Sequence, residues 1–235
     1  MVKGIIFDLD NTLVDFMKMK DDAVNAALKA MVDSGLKMDL VEAHEKIYKI
    51  YKDEGIEFQE VFDRFLVECC GSIDHKILAA GIVSYRKARE AALVLYPNVN
   101  YTLFSLMKRG IKLAVLSDAP RRQAWLRLCY LNLHHIFDVV VTFEDTGKRK
   151  PEPEPFKKVL ELLELMPDEA LMVGDWPERD MIGASKIGIP TAYARYGDTY
   201  TKYDQDEPVE AQNADYKIDN IRELLDIVDG LNAKS

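Results

Sequence analysis

Short and mostly apolar runs recur along this chain, and each is separated from the next by a longer segment with helical spacing of its apolar positions. The runs lie at 3–9, 111–116, 139–142, 170–173 and 190–193. Continuous apolar runs of this length are typical of strands that are buried on both faces of a parallel sheet. Because strands and helices alternate, the pattern predicts an α/β fold with right-handed crossovers.

The segment between the first two runs interrupts this alternation, because it carries only helical patterns. One helix is predicted over 18–34 with a stop at Gly35, and Asp74 is predicted to cap another. An all-helical block directly after the first strand indicates a separate module. We therefore predict a core at 1–15 and 97–235 and an inserted helical cap domain at 16–96.

The end of the chain carries weaker signals. A polar stretch with several turn formers covers 195–214, a last edge strand is predicted at 216–218, and a closing helix is predicted at 221–228. No internal repeat is visible.

Composition narrows the possible partners. The chain has 235 residues, 48% of them hydrophobic, and a formal net charge of -9. That charge argues against a broad nucleic-acid surface, and no apolar run is long enough to span a membrane. Since no secretory pattern begins the chain, a cytoplasmic protein is expected, either monomer or homodimer. The cysteines are expected to be buried, inert thiols; they are Cys69, Cys70 and Cys129.

Two acids stand where the first predicted strand ends. Asp8 and Asp10 lie on the same side of an extended chain, with Leu9 turned away. Ligands of parallel sheets bind at this end of the strands. Two carboxylates so close together repel each other, and a cation would relieve the repulsion. Taken alone, the motif is equally well explained as an Asp-rich turn.

A hydroxyl and an acid end another run, at Ser117 and Asp118. Pro120 then fits the first turn of a helix. The free amides at a helix N-terminus suit a phosphate group. Taken alone, a simple helix cap explains Ser117 or Asp118 better.

Two further motifs carry a cation and an acid. Lys150 is the last of three consecutive cations, and Pro151 favours an extended Lys150 with a defined direction. Later, Gly174 and Asp175 end a strand, and Asp180 follows near the start of the next helix. Carboxylates in such a position suit Mg²⁺. Solvated cations and a helix cap are the alternatives for these motifs.

Together the four motifs are far more specific than any one of them, because each lies at the carboxyl end of a predicted strand or in the loop after it. Their order is paired acids, hydroxyl, lysine and metal-type acid. This order, with the helical block after the first strand, resembles the haloacid dehalogenase superfamily, in its phosphatase branch with an inserted helical cap. The resemblance covers nearly the whole chain and implies a Rossmann-like three-layer core.

The resemblance also implies roles for individual residues. It implies that Asp8 is the nucleophile, Asp10 the general acid and base, and Lys150 the cation that steadies both nucleophile and phosphoryl group. The implied phosphate-binding set is Ser117, Asp118 and Lys150. The implied Mg²⁺ ligands are Asp8, Asp10 (through its backbone carbonyl) and Asp175, with Gly174 and Asp180 in support.

These roles imply a Mg²⁺-dependent phosphatase that hydrolyses a small phosphorylated metabolite through an aspartyl-phosphate. Two features depart from the usual pattern. Asp118 stands where asparagine is often seen, and Trp176-Pro177 stands where small polar residues are usual. Three alternatives stay open at this point: a phosphoglucomutase-like phosphoryl transferase, a 2-haloacid dehalogenase, and a non-catalytic phosphate-binding relative.

Overall fold

The computed structural model describes residues 1–197 and 214–233. The chain divides into two compact units, Met1–Asp15 with Leu95–Ser235, and Phe16–Val94. We call the first unit the core and the second the cap. The predicted domain boundaries, with the core at 1–15 and 97–235 and the cap at 16–96, stay our proposal for the functional domains.

The core is built on a parallel sheet, to which the described residues contribute six strands. They are β1 (Gly4–Phe7), β2 (Lys112–Leu116), β3 (Val139–Val141), β4 (Ala170–Gly174), β5 (Thr191–Ala194) and β6 (Tyr216–Ile218). The strand order is β3-β2-β1-β4-β5-β6. In the register of the sheet, Phe7 at the end of β1 pairs with Val115 of β2 and Val173 of β4. The predicted parallel α/β sheet is confirmed.

The cap is helical, as its sequence pattern predicts. Its helices are α1 (Phe16–Asp33), α2 (Leu40–Glu54), α3 (Val61–Cys70) and α4 (His75–Ala92). The helix predicted to stop at Gly35 ends at Asp33, and Asp74 caps α4 by accepting the N–H groups of Lys76 and Ile77. Helices α1 and α4 pack closely where Gly81 faces Met31, since a Cβ at position 81 would lie 2.8 Å from Met31 Cγ.

Helices cover both faces of the core sheet. The core helices that the structure describes are α5 (Val99–Lys108), α6 (Arg121–Tyr130), α7 (Phe143–Thr146), α8 (Pro153–Leu163), α9 (Ile182–Ser185) and α10 (Leu224–Ala233), of which the four-residue α7 buries no side chain. Alternation along β1 sends Ile5 and Phe7 into one apolar cluster with α5, α6 and α10, and Ile6 into a second cluster with α8 and α9. The three-layer, Rossmann-like arrangement is therefore confirmed.

Some local expectations differ from the structure. The closing helix predicted at 221–228 begins as a 3-10 turn, Ile221–Glu223, and continues as α10 to Ala233. The prediction of buried cysteines is wrong, because Cys69 is only half-buried and Cys70 and Cys129 are exposed near the ends of α3 and α6. Most of the polar stretch predicted at 195–214 lies outside the described residues. Among the helices of the described part, none is long and apolar enough to cross a membrane.

Candidate active site

The sheet register brings the predicted site residues to one edge. The backbone N–H of Asp8 donates to the carbonyl of Val173 at 2.8 Å, which continues the β1–β4 ladder by one residue. Ser117 likewise follows β2, and its N–H donates to the carbonyl of Val141 at 3.0 Å. Asp175 follows β4. Asp8, Ser117 and Asp175 are all buried, so the strands deliver two carboxylates and a hydroxyl to the carboxyl end of the sheet.

Lys150 lies inside this group. Its Nζ donates to Asp8 Oδ1 at 2.5 Å, to Asp180 Oδ1 at 2.6 Å and to the carbonyl of Leu116 at 3.2 Å. Burial alone would lower the pKa of Lys150, but Asp180 and Asp8 raise that pKa above its ordinary value. Lys150 is therefore a fixed positive charge beside Asp8. The neighbouring cations, Lys148 and Arg149, are exposed.

Carboxylates outnumber the cation at this site. Oxygens of Asp8, Asp175 and Asp180 lie within 4.8 Å of one another. Burial raises the pKa of Asp8 to about 7, although Lys150 opposes the shift. Burial, with the charge of Asp8, also raises the pKa of Asp175 well above its ordinary value. Three buried carboxylates beside one ammonium leave an excess of negative charge, which fits the preference of Mg²⁺ for carboxylate oxygens.

Asp180 holds the loop after β4 in place. It is completely buried; Oδ1 accepts from Lys150, and Oδ2 accepts the backbone N–H of Trp176 at 3.1 Å. Gly174 makes this arrangement possible, since a Cβ at that position would lie 2.2 Å from Asp180 Oδ2. Gly174 therefore leaves the space that Asp180 occupies, and Asp180 in turn holds Lys150. This is how the structure arranges the two residues that were predicted to support the site.

Sequence reasoning missed three residues that pack against the first motif and Asp175. The hydroxyl of Thr12 donates to Asp175 Oδ1 at 3.1 Å, and the hydroxyl of Tyr196 donates to the carbonyl of Thr12 at 2.9 Å. Gly197 lies against the backbone, since a Cβ there would overlap the carbonyl oxygen of Asn11. The only local signal was the position of Thr12 within the first motif. Tyr196 and Gly197 follow β5 and carry no such signal.

Asp10 has a cation of its own. Its Oδ2 accepts a hydrogen bond from Arg127 Nη1 at 3.0 Å. Arg127 lies on α6, and sequence analysis did not single it out. The two acids of the first motif are thus held by different cations, Asp8 by Lys150 and Asp10 by Arg127.

Comparison with known proteins decides the family. The family model described as haloacid dehalogenase-like hydrolase matches residues 5–194. The chain belongs to this family. It is 36% identical to a glyceraldehyde 3-phosphate phosphatase of Methanocaldococcus jannaschii, over 98% of this chain and 99% of that protein. The corresponding phosphatase of Methanopyrus kandleri is 34% identical, over 97% of each chain.

Solved structures agree with this assignment. A haloacid dehalogenase-like phosphatase from Thermococcus onnurineus is 25% identical, covers 97% of this chain and 98% of its own, and has a TM-score of 0.67. A β-phosphoglucomutase-like protein from Thermotoga maritima has a TM-score of 0.74 at 21% identity over 97% and 99% of the two chains, and it shows the fold alone. The predicted membership of the phosphatase branch of the family is confirmed.

The two departures from the usual family pattern meet in the structure. Asp118 Oδ1 accepts the backbone N–H of Lys150 at 3.0 Å, and Asp118 Oδ2 lies 3.4 Å from Arg179 Nη1. The guanidinium of Arg179 stacks 3.6 Å from the ring centroid of Trp176. Asp118 therefore connects the loop that carries Lys150 to the Trp176-Pro177 loop through Arg179. This gives the acid a structural role beside the predicted one in phosphate binding.

Proposed function

We propose that this chain hydrolyses small phosphomonoesters in a Mg²⁺-dependent reaction, with Asp8 as the nucleophile. One observation carries the proposal: the Asp8 carboxylate lies at the carboxyl edge of the sheet, 2.5 Å from the Lys150 ammonium and beside two further buried carboxylates. Lys150 reduces the repulsion between an anionic nucleophile and an anionic phosphoryl group.

The reaction has two halves. In the first, an oxygen of Asp8 forms a bond to phosphorus while the bond from phosphorus to the leaving oxygen breaks. Asp10 donates a proton to the leaving alkoxide and later takes a proton from the water that hydrolyses the aspartyl-phosphate. Ser117 and Lys150 hold the oxygens of the phosphoryl group in both halves. Asp8, Asp175 and the backbone carbonyl of Asp10 would hold Mg²⁺, which when bound supplies positive charge against the phosphoryl oxygens.

Glyceraldehyde 3-phosphate is the substrate that we propose. The proposal rests on the relatives named glyceraldehyde 3-phosphate phosphatase, which match over nearly the full length of both chains. A pyrophosphatase of Bacillus cereus is also similar, at 29% identity over 98% of this chain. Pyrophosphate therefore belongs in the same test. The cytoplasmic location and the choice between monomer and homodimer stay predictions.

Phosphate release tests the proposal. The compounds are glyceraldehyde 3-phosphate, phosphoglycolate, glycerol 3-phosphate, pyrophosphate and p-nitrophenyl phosphate, each with Mg²⁺ and with EDTA. We expect release that needs Mg²⁺, with the highest kcat/KM for glyceraldehyde 3-phosphate. Full activity in EDTA would contradict the metal assignment. A higher kcat/KM for another compound would contradict the choice of glyceraldehyde 3-phosphate as the substrate.

Two other outcomes would replace the proposed function. Phosphorylation of Asp8 without phosphate release would indicate a phosphoryl transferase. Chloride release from 2-chloropropionate without Mg²⁺ would indicate a dehalogenase, whose reaction has no use for the acidic cluster around Asp175.

A further inference from the structure

We propose that Arg127 is a positioning residue for Asp10, and that it sets how well the enzyme handles substrates whose leaving group must be protonated. The proposal rests on the proposed function, in which Asp10 is the general acid. It goes further by placing the orientation of that acid under the control of one side chain on α6.

Arg127 occupies a place where an apolar residue is expected. Buried positions on α6 are Ala124, Arg127 and Leu128, which follow the spacing of an inward-facing helix stripe. Arg121 and Arg122, at the start of the same helix, are exposed. A buried guanidinium is costly unless a carboxylate compensates it. Its pairing with Asp10 explains why the arginine is tolerated on the inner face.

The pair is well placed to fix a carboxylate. Arg127 Nη1 lies 3.0 Å from Asp10 Oδ2, and the side chains are only 8% and 21% exposed. A guanidinium donates from a rigid, planar set of N–H groups, so it constrains the direction of the carboxylate as well as its position. Proton transfer requires the acid within about 2.6–3.2 Å of the oxygen it protonates. An Asp10 whose direction is less constrained would meet this requirement less often.

Because Asp8 and Asp10 are held by different cations, loss of Arg127 is expected to impair some substrates and not others. Lys150 contacts Asp8, so loss of Arg127 leaves the cation beside the nucleophile in place. An alkyl phosphate needs the proton of Asp10, because an alkoxide leaves poorly, whereas p-nitrophenolate leaves without it. The ratio kcat/KM reports the steps up to release of the leaving group and omits the later hydrolysis of the aspartyl-phosphate.

The test compares Arg127→Met with wild-type enzyme on glycerol 3-phosphate and p-nitrophenyl phosphate, in Mg²⁺. We expect kcat/KM for the alkyl phosphate to fall about 100-fold, as for loss of a general acid, and for the aryl phosphate to fall less than about 3-fold. Arg127→Lys should recover part of the alkyl activity, because it keeps the charge but not the planar donors. Arg122→Met on the exposed side of α6 is the matched control.

A double-mutant comparison separates positioning from folding. In an Asp10→Asn background, Arg127→Met should cost less than about 3-fold more on the alkyl phosphate, since residues that act as a unit are non-additive. Equal losses on the two substrates, or additive losses in the double variant, would overturn the proposal. If Arg127→Met does not fold, Arg127→Lys decides, and its losses of kcat/KM on the alkyl and the aryl phosphate are compared in the same way. Wild-type enzyme without Mg²⁺-dependent turnover would instead refute the proposed function, and the inference with it.

Discussion

Two buried lysines, one in each unit, show how differently a protein can compensate the same charge. Lys150 in the core donates to two carboxylates and a carbonyl. Lys20 in the cap is also buried, but its Nζ lies 4.3 Å from the ring centroid of Tyr51 and 5.5 Å from that of Tyr85. No carboxylate of residues 1–197 or 214–233 forms an ion pair with Lys20.

The difference separates a lysine held among carboxylates from a lysine held among aromatic rings. Aromatic faces stabilise a cation by about 0.5–2 kcal/mol without adding a formal negative charge. The carboxylates around Lys150 exceed its single charge, and a metal ion can use that excess of negative charge. Burial of a lysine therefore indicates function only when its partners are also considered.

The largest effect is expected from removal of a carboxylate beside Lys150. Asp8→Asn removes the nucleophile and should lower kcat by about 10⁴-fold or more. The matched control is Asp22→Asn in the cap, which removes the carboxylate of an exposed pair with Lys18. Phosphate release and circular dichroism check both variants. Turnover by Asp8→Asn near the wild-type rate would refute the assignment.

The next prediction compares the two lysines directly. Lys150→Met leaves buried carboxylates without their cation, so we expect a loss of about 3 kcal/mol in the free energy of unfolding. Turnover should fall about 1000-fold. Lys20→Met keeps an apolar stem against Tyr51 and should cost less than about 2 kcal/mol. Urea unfolding and phosphate release measure the two effects. Equal destabilisation by the two substitutions would show that the partners of a buried lysine do not matter here.

Close packing around glycine offers a third contrast. In Gly174→Ala the new Cβ meets Asp180, which Lys150 and Trp176 hold in place, so a loss of about 2 kcal/mol and reduced turnover are expected. In Gly81→Ala the Cβ meets the flexible side chain of Met31, and alanine favours the helix by about 1 kcal/mol. Thermal melting of both variants tests the contrast, which fails if Gly81→Ala is the more damaging.

The last prediction is a pH dependence of stability that is confined to the core. Burial raises the pKa of Asp8 from 3.8 to about 7, so the metal-free folded protein holds a proton that the unfolded chain releases over this range. Stability from this group is therefore lost as the pH rises from about 4 to about 7. In EDTA, Asp8→Asn should melt at least about 3 °C above wild type at pH 7.5, and the difference should shrink toward pH 4. A difference in melting temperature that stays constant between pH 4 and pH 7.5 would contradict this prediction. Asp22→Asn is again the control.

Much of the fold could be predicted because its signals are local. Buried strands such as Gly4–Phe7 and Ala170–Gly174 appear as apolar runs, and the cap helices appear as stripes with stops at residues such as Gly35 and caps such as Asp74. The candidate site followed from topology, since residues just after parallel strands meet at one edge of a sheet. The exposure of Cys70 and Cys129 was missed, because position on a helix face depends on what that face contacts.

The sequence by itself determined the alternation of strands and helices, the position of the cap in the chain and the motif residues that end the strands. Only the tertiary structure decided which further groups hold these residues. Arg127 reaches Asp10 across 117 positions and Thr12 reaches Asp175 across 163, and no periodicity of 2 or 3.6 residues links such pairs. Their contacts follow from strand register and helix packing, which bring segments that are distant in the sequence within hydrogen-bond range in the folded core.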